Sequence, residues 1–220
     1  MNIIKMKILD FNIIVDQLID TFFIAGELSL KIREKGLVKR TKSDHTPVTN
    51  ADIEINNIIT EKIDKLTPSI PIISEESSKN KENNKLNSFW LIDPIDGTYD
   101  YMNNKDEFTL NAALIIDNKP KIGVIYAPAK DRLFYTYGQN TSCEISKGKK
   151  IELNCKKLSK NNEIRAVTYS NNLRPEILEI HKKFNVTNIT KMKSSLKFCV
   201  VASGEYDLYV AEPRAYEWDI

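Results

Sequence analysis

The chain has 220 residues, 41% of them hydrophobic and 28% charged, a globular balance that excludes disorder as the default and allows one large domain or two small ones. Its 32 basic and 30 acidic side chains leave a formal net charge of +2, too weak a field to argue for a nucleic-acid polymer or an anionic membrane as partner. Cys143, Cys155 and Cys199 are widely spaced and form no CxxC pair, which speaks against a disulfide framework or a zinc site and for a reducing cytoplasm.

The first segment, from about Leu9, is apolar enough to raise a membrane span or signal peptide. Asp10, Asp16, Asp20, Glu27 and Lys31 interrupt it, while Ile14, Leu18, Phe22, Ala25 and Ile32 recur at helical spacing. It reads as an amphipathic helix ending near Gly36, with no transmembrane segment. A second helix is expected from a cap at Thr49 or Asn50, through Ile55, Ile58, Ile59 and Ile63, to about Leu66. "IPIIS" reads as a short buried strand, and "SSKNKENNKLNS" as a solvated loop with too few apolar residues to pack. "FWLID", "FTLNAALII", "KIGVIYAP" and "RLFYTYG" follow as four strands of an antiparallel or mixed sheet, separated by turn signals such as Asp117-Asn118 and Pro128.

From about Glu163 the rhythm becomes strand, helix, strand, helix, strand: "IRAVTYS", "PEILEIHKKF", "VTNIT", "SSLKFCVVASG", "YDLYVA". The fold class expected is α/β (α+β) and layered. An N-terminal α+β part covers residues 1–150 and an α/β part covers 151–220, with the change where Gly and Lys cluster.

The stretch "DPIDGT" carries more charge than an apolar strand exit needs. Asp93 and Asp96 flank Pro-Ile on what reads as a turn, so both carboxylates and the Ile95 carbonyl could face one point. Carboxylates that close repel and call for a proton, a cation or separation. Oxygen-only donors suit Mg2+, and Gly97 and Thr98 add a bare amide and a hydroxyl suited to a phosphate oxygen and a water. An Asx turn with solvated carboxylates is the plainer alternative. Glu75 and Glu76 end a strand, Asp52 opens a helix and Asp219 follows Trp218; each alone has an ordinary loop or cap reading. His45 and His181 are expected at the surface or in loops, Tyr99, Tyr101 and Phe108 as packing aromatics, and Cys199 in a core helix.

Taken in order, "PVTNAD", "EE" after a strand, "DPIDGT" and "WD" resemble the inositol monophosphatase superfamily of Mg2+-dependent phosphatases, and "DEFTLNAALI", "GVIYAP" and "SSLKFCVVASGEYDLYV" are similar to its CysQ-type 3'(2'),5'-bisphosphate nucleotidase branch. The resemblance implies an αβαβα sugar-phosphatase fold. Two or three Mg2+ ions would be held by Glu75, Asp93, the Ile95 carbonyl, Asp96 and Asp219, and Thr98 paired with Asp52 would orient and deprotonate water. Gly97 and Thr98 would cradle the phosphate, Ser195 and Lys197 would reach the nucleotide, and Glu75, Asp96 and Asp219 would border the substrate through the metals. For Ser195 and Lys197 a helix N-cap and an exposed lysine remain open readings.

The implied reaction is hydrolysis of the 3'-phosphate of adenosine 3',5'-bisphosphate in sulfur assimilation, with Li+ sensitivity. The expected setting is cytoplasmic or peripheral on the inner membrane, and a homodimer stays open. The sequence departs from the branch at Lys193, where glycine is usual, and before Trp218, where only Arg214 matches. It also ends at Ile220, where the family pattern continues with a helix and further strands, so the C-terminal part is expected to be incomplete. Alternatives are therefore an inositol or other sugar-phosphate phosphatase, or an inactive remnant or partner-dependent subunit.

Overall fold

The structure, a computed structural model, describes residues 10–42, 46–76, 86–138, 141–155 and 163–212. Helix α1 (Phe11–Lys35) is capped by Asp10, whose carboxylate accepts the amides of Asn12 and Ile13, and Gly36 ends it at a φ of 104°. Helix α2 (Asn50–Leu66) begins at Thr49 and closes with Thr67, whose amide bonds the Ile63 carbonyl. Before it, β1 (Lys39–Thr41) and β2 (Pro47–Thr49) form an antiparallel pair.

A seven-stranded sheet follows in the order β3 (Ile72–Ser74), β4 (Phe89–Asp96), β5 (Thr109–Ile116), β6 (Lys119–Ala127), β7 (Arg132–Tyr137), β8 (Ser142–Ser146) and β9 (Lys149–Glu152). Only β3 and β4 run parallel; the remaining neighbours are antiparallel. Short helix α3 (Thr98–Met102) leaves the end of β4. A smaller, parallel sheet has the order β11 (Val186–Lys191), β10 (Ile164–Thr168), β12 (Leu208–Tyr209). Helix α4 (Pro175–Lys183) packs on β11, and α5 (Leu196–Ala202) lies between the sheets, touching β6, β10 and β12. The layered α/β class expected from the sequence is the one observed.

One core lies between α1, α2 and the larger sheet, where Leu18, Phe22, Ile55, Ile59, Trp90, Ile92 and Leu110 are fully buried. The indole N–H of Trp90 donates to Thr67 Oγ1 at 2.9 Å, so the largest core side chain leaves no orphaned donor. A second cluster around Ala127, Phe134, Leu196, Cys199 and Val200 joins α5 to the larger sheet. Burial pushes the Cys199 thiol up to about 12, as suits a packing side chain. Arg132 on β7 bonds both Glu144 on β8 and Glu205 after α5, clasping the two halves.

The structure corrects four expectations. The segment after "RLFYTYG" carries two further strands, β8 and β9, whose polar, lysine-rich sequence hides an edge hairpin. "DPID" is not a turn: β4 runs through Asp96 with a register shift between Asp93 and Asp96. His181 is buried, 4% exposed, because it shares a face of α4 with Ile177 four residues earlier. Tyr99, expected as a packing aromatic, is exposed on α3, whereas Tyr101 and Phe108 are fully buried as expected. Next to Lys193, it is Ser194 that takes a positive φ, of 55°. Most of the expected loop over 77–88, with His45, Arg214 and Asp219, lies outside the described residues.

Truncation of the fully buried Phe22 to alanine is expected to cost about 3–5 kcal/mol by urea unfolding. Ile24→Ala, on the exposed face of the same helix, should stay within about 0.5 kcal/mol of the parent. Equal losses for the two would displace the assigned face of α1.

Candidate active site

The site is built around an irregularity in β4. Asp93 stands opposite Asn111 and Asp96 opposite Thr109, so three steps on β4 match two on β5. In a regular strand residues three apart face opposite sides; the extra residue restores the parity and puts both aspartates on the face shared by Asn111 and Thr109. Pro94 has no N–H to donate, and a bulge is where a sheet tolerates it. Trp90, Ile92 and Ile95 join the core under α1 and α2, while Leu91, Asn111 and Ala113 line a cavity of about 540 Å3 toward α5. The strand thus separates its apolar side from a face that carries its acids.

Gly97 follows with a φ of 91° and starts α3. A Cβ there would lie 2.9 Å from the Glu107 carbonyl oxygen, so both backbone and space require glycine. Thr98, the next residue, directs its hydroxyl at the Ile95 carbonyl at 3.0 Å and at Asp52 Oδ1 at 3.3 Å. Asp52 is 1% exposed, and its other oxygen, Oδ2, accepts the Thr49 amide at 2.7 Å and the Thr49 hydroxyl at 2.6 Å. The capping reading of Asp52 and its pairing with Thr98 therefore both hold, one on each oxygen. Burial raises the Asp52 pKa against the opposing bonds from Thr49, and the charge of Glu75 adds to the rise.

Glu75 and Glu76 share one cation. Lys42 Nζ lies 2.9 Å from Glu75 Oε1 and 2.7 Å from Glu76 Oε1. Burial raises the Glu76 pKa, opposed by Lys42. Lys42 was not singled out in the sequence, since a lysine in a short polar strand connection carries no local signal of this contact.

Ser195 comes from the far side of the cavity, at the start of α5. It occupies the N-cap position, yet its side chain caps no helix amide. Its hydroxyl instead donates to Asp96 Oδ2 at 2.8 Å and accepts from Asn111 Nδ2 at 3.1 Å. Lys197 Nζ donates to the Ser194 carbonyl and lies near enough to Asp96 for its charge to oppose the rise that burial imposes on that carboxylate. The chain thus brings together Asp52, Glu75, Asp96, Thr98, Ser195 and Lys197, with Asp93 and Ile95 on the same bulge and Gly97 beside it.

Glu75, Asp93, Asp96 and the Ile95 carbonyl offer only oxygen donors, the chemistry a hard divalent cation takes. Among the described residues no three His, Cys, Asp or Glu side chains stand close enough to enclose an ion. The electrostatics nevertheless favour an added cation: burial raises Asp96 and Asp52, and the charge of Glu75 raises both further. The donors present fit Mg2+ in type and in sign.

Comparison with known proteins places this arrangement. The sequence pattern of the inositol monophosphatase family matches residues 14–220. The 3'(2'),5'-bisphosphate nucleotidase CysQ of Buchnera aphidicola is 36% identical over 198 residues, 89% of this chain and 74% of that protein. CysQ of Haemophilus influenzae is 31% identical over 214 residues, 94% and 78% of the respective lengths. Among solved structures, CysQ from Bacteroides thetaiotaomicron superposes with a TM-score of 0.72 at 27% identity, covering 97% of this chain and 84% of that one. The Thermotoga maritima IMPase shares the fold at 23% identity and a TM-score of 0.68, over 87% of this chain and 73% of that one. A family pattern that begins within α1 and runs over nearly all of the sequence, joined to relatives above 30% identity, leaves one conclusion: the chain belongs to the inositol monophosphatase family.

Proposed function

We propose that the chain is a Mg2+-dependent phosphatase that removes the 3'-phosphate of adenosine 3',5'-bisphosphate, giving AMP and phosphate. Two curated relatives at 31% and 36% identity carry the name 3'(2'),5'-bisphosphate nucleotidase, which supports this substrate class for the present chain. The observation that carries the chemistry is the Asp52–Thr98 contact beside the bulge of Asp93 and Asp96.

Glu75, Asp93, the Ile95 carbonyl and Asp96 would hold Mg2+, and the sequence pattern adds Asp219. When bound, the cation acidifies water and offsets charge on the transferred phosphoryl oxygens. Thr98 Oγ1 is the group that accepts the proton of a reacting water, passing its own to Asp52 Oδ1, whose partner oxygen stays fixed on Thr49. A buried carboxylate with a raised pKa is suited to receive it. The backbone of Gly97 and Thr98 would cradle the phosphate, and glycine at 97 is what the positive φ and the nearby Glu107 carbonyl require for that backbone course. The cavity of about 540 Å3, which Asn111 and Ser195 help to line, is within the range of small-ligand sites, and Lys197, whose charge acts on Asp96, would meet an anionic substrate. The free thiols Cys143, Cys155 and Cys199 support a reducing compartment. No described helix is long and apolar enough to cross a membrane.

Phosphate release from adenosine 3',5'-bisphosphate, measured with Mg2+ and again with chelator beside inositol 1-phosphate, tests the assignment. Metal-dependent release chiefly from the nucleotide is expected, and Asp93→Asn should lower it at least about 100-fold with the fold retained. Preference for inositol 1-phosphate, no release from either, or full activity of Asp93→Asn would overturn it.

A second expectation concerns pH without metal. A carboxylate with a raised folded pKa binds its proton more readily folded than unfolded, so its contribution to stability falls as pH rises through the raised value. In chelator, the thermal midpoint of the parent relative to that of Asp96→Asn should therefore climb as pH is lowered from neutrality toward the ordinary carboxylate pKa of about 4. The His181 contribution, of opposite sign because burial lowers that pKa, is common to both proteins and cancels. A constant difference would show that Asp96 is not strained by burial.

A further inference from the structure

Asn111 makes a bond that its place in the sheet does not require. It stands on β5 opposite Asp93, is 6% exposed, and donates from Nδ2 to Ser195 Oγ at 3.1 Å. Ser195 Oγ donates in turn to Asp96 Oδ2 at 2.8 Å. Chemistry fixes the direction of this relay. An ionised carboxylate only accepts, so the single hydroxyl proton goes to Asp96, and the serine lone pair is then met by a donor, the amide NH2 of Asn111. The opposite rotation of that amide would set its oxygen against the hydroxyl and compete for the proton that Asp96 receives.

The orientation has a cost. Asn111 Oδ1 is buried with no hydrogen-bond partner among the described residues, as is the hydroxyl of Thr109, which stands opposite Asp96 on the same face. An unmet buried carbonyl destabilises a fold, and natural proteins keep few of them. Ser195 shows the same bias, since its hydroxyl at a helix N-cap turns from its own helix toward Asp96. Two side chains, one from a strand of the larger sheet and one from the start of α5, thus forgo ordinary local satisfaction for one carboxylate.

We propose that Asn111 is a positioning residue: acting through Ser195, it holds the Asp96 carboxylate in one orientation for a divalent cation. The inference rests on the reading of Asp96 as a Mg2+ ligand. Outer partners that orient a ligand govern metal affinity directly, without touching metal or substrate.

Mg2+ binding to the full chain by isothermal titration calorimetry, with no substrate present, tests the relay. Asn111→Leu and Ser195→Ala are each expected to weaken binding about tenfold. The double variant should bind no more weakly than Ser195→Ala alone, because the asparagine acts only through that hydroxyl. Asn111→Ala, which removes the amide without adding apolar bulk, is read in the same way should the leucine variant not fold. Binding by Asn111→Leu or Asn111→Ala equal to that of the parent would overturn the positioning role alone, as would losses that simply add in the double variant. No Mg2+ uptake by the parent would overturn the ligand reading of Asp96, and the positioning role with it.

Discussion

The geometry of the site depends on one carboxylate serving two places at once. Asp52 gives Oδ2 to the amide and hydroxyl of Thr49, closing the first turn of α2, and leaves Oδ1 to Thr98 at the end of β4. Were the cap absent, the side chain could rotate, and its reach to Thr98 would become one option among several. Because the cap is made, the helix start and the strand end are held in fixed relation through a single buried group. The Thr98 hydroxyl extends the tie to the Ile95 carbonyl, inside the bulge. A helix cap, an element of local structure, thereby becomes an element of the proposed reaction centre.

The bulge supplies the second constraint. Its single extra residue turns two aspartates onto one face of the sheet, where burial penalises the charge of Asp96. The protein offsets that penalty piecemeal. Lys42 balances Glu75 and Glu76, Lys197 acts on Asp96, and Ser195 contributes a hydroxyl. These groups come from the β1–β2 connection, from α5 and from the segment before it, so the acids on β4 and those after β3 are compensated only by the assembled molecule. Arg132, reaching from β7 to Glu205 beyond α5, holds the two halves together at a distance from the acids.

Much of this was legible in the sequence. The spacing of Ile14, Leu18, Phe22 and Ala25 gave α1, and Thr49 with the isoleucines after it gave α2, because a buried helical face imposes its period on the apolar residues. The alternation after Glu163 gave the second sheet. "DPIDGT" marked the acids, yet read as a turn, since a bulge is a property of a strand together with its partner and only the pairing with β5 reveals it. The hairpin of β8 and β9 was hidden for a related reason: an edge strand needs few apolar residues, and "KKIE" has one. Lys42 and Asn111 left no local trace, because each matters only through a residue distant in sequence. The Ser195 position was legible as a cap, but the direction of its hydroxyl was not.

The separation of Asp96 and Ser195 bears on the order in which the molecule can form. Their hydrogen bond spans 99 residues, whereas the ladders from β4 to β9 join neighbours in sequence. Contacts between neighbours close small loops and form early, and distant ones wait until the intervening chain has settled. On a ribosome the larger sheet can therefore assemble with its acidic face still open, while the serine that will restrain Asp96 has yet to be made. During that interval Lys42, already synthesised, is the cation at hand for the emerging carboxylates of Glu75 and Glu76. The contact that restrains Asp96 is thus made by chain synthesised well after the larger sheet, so a nascent molecule cannot acquire it before the segment leading into α5 has emerged.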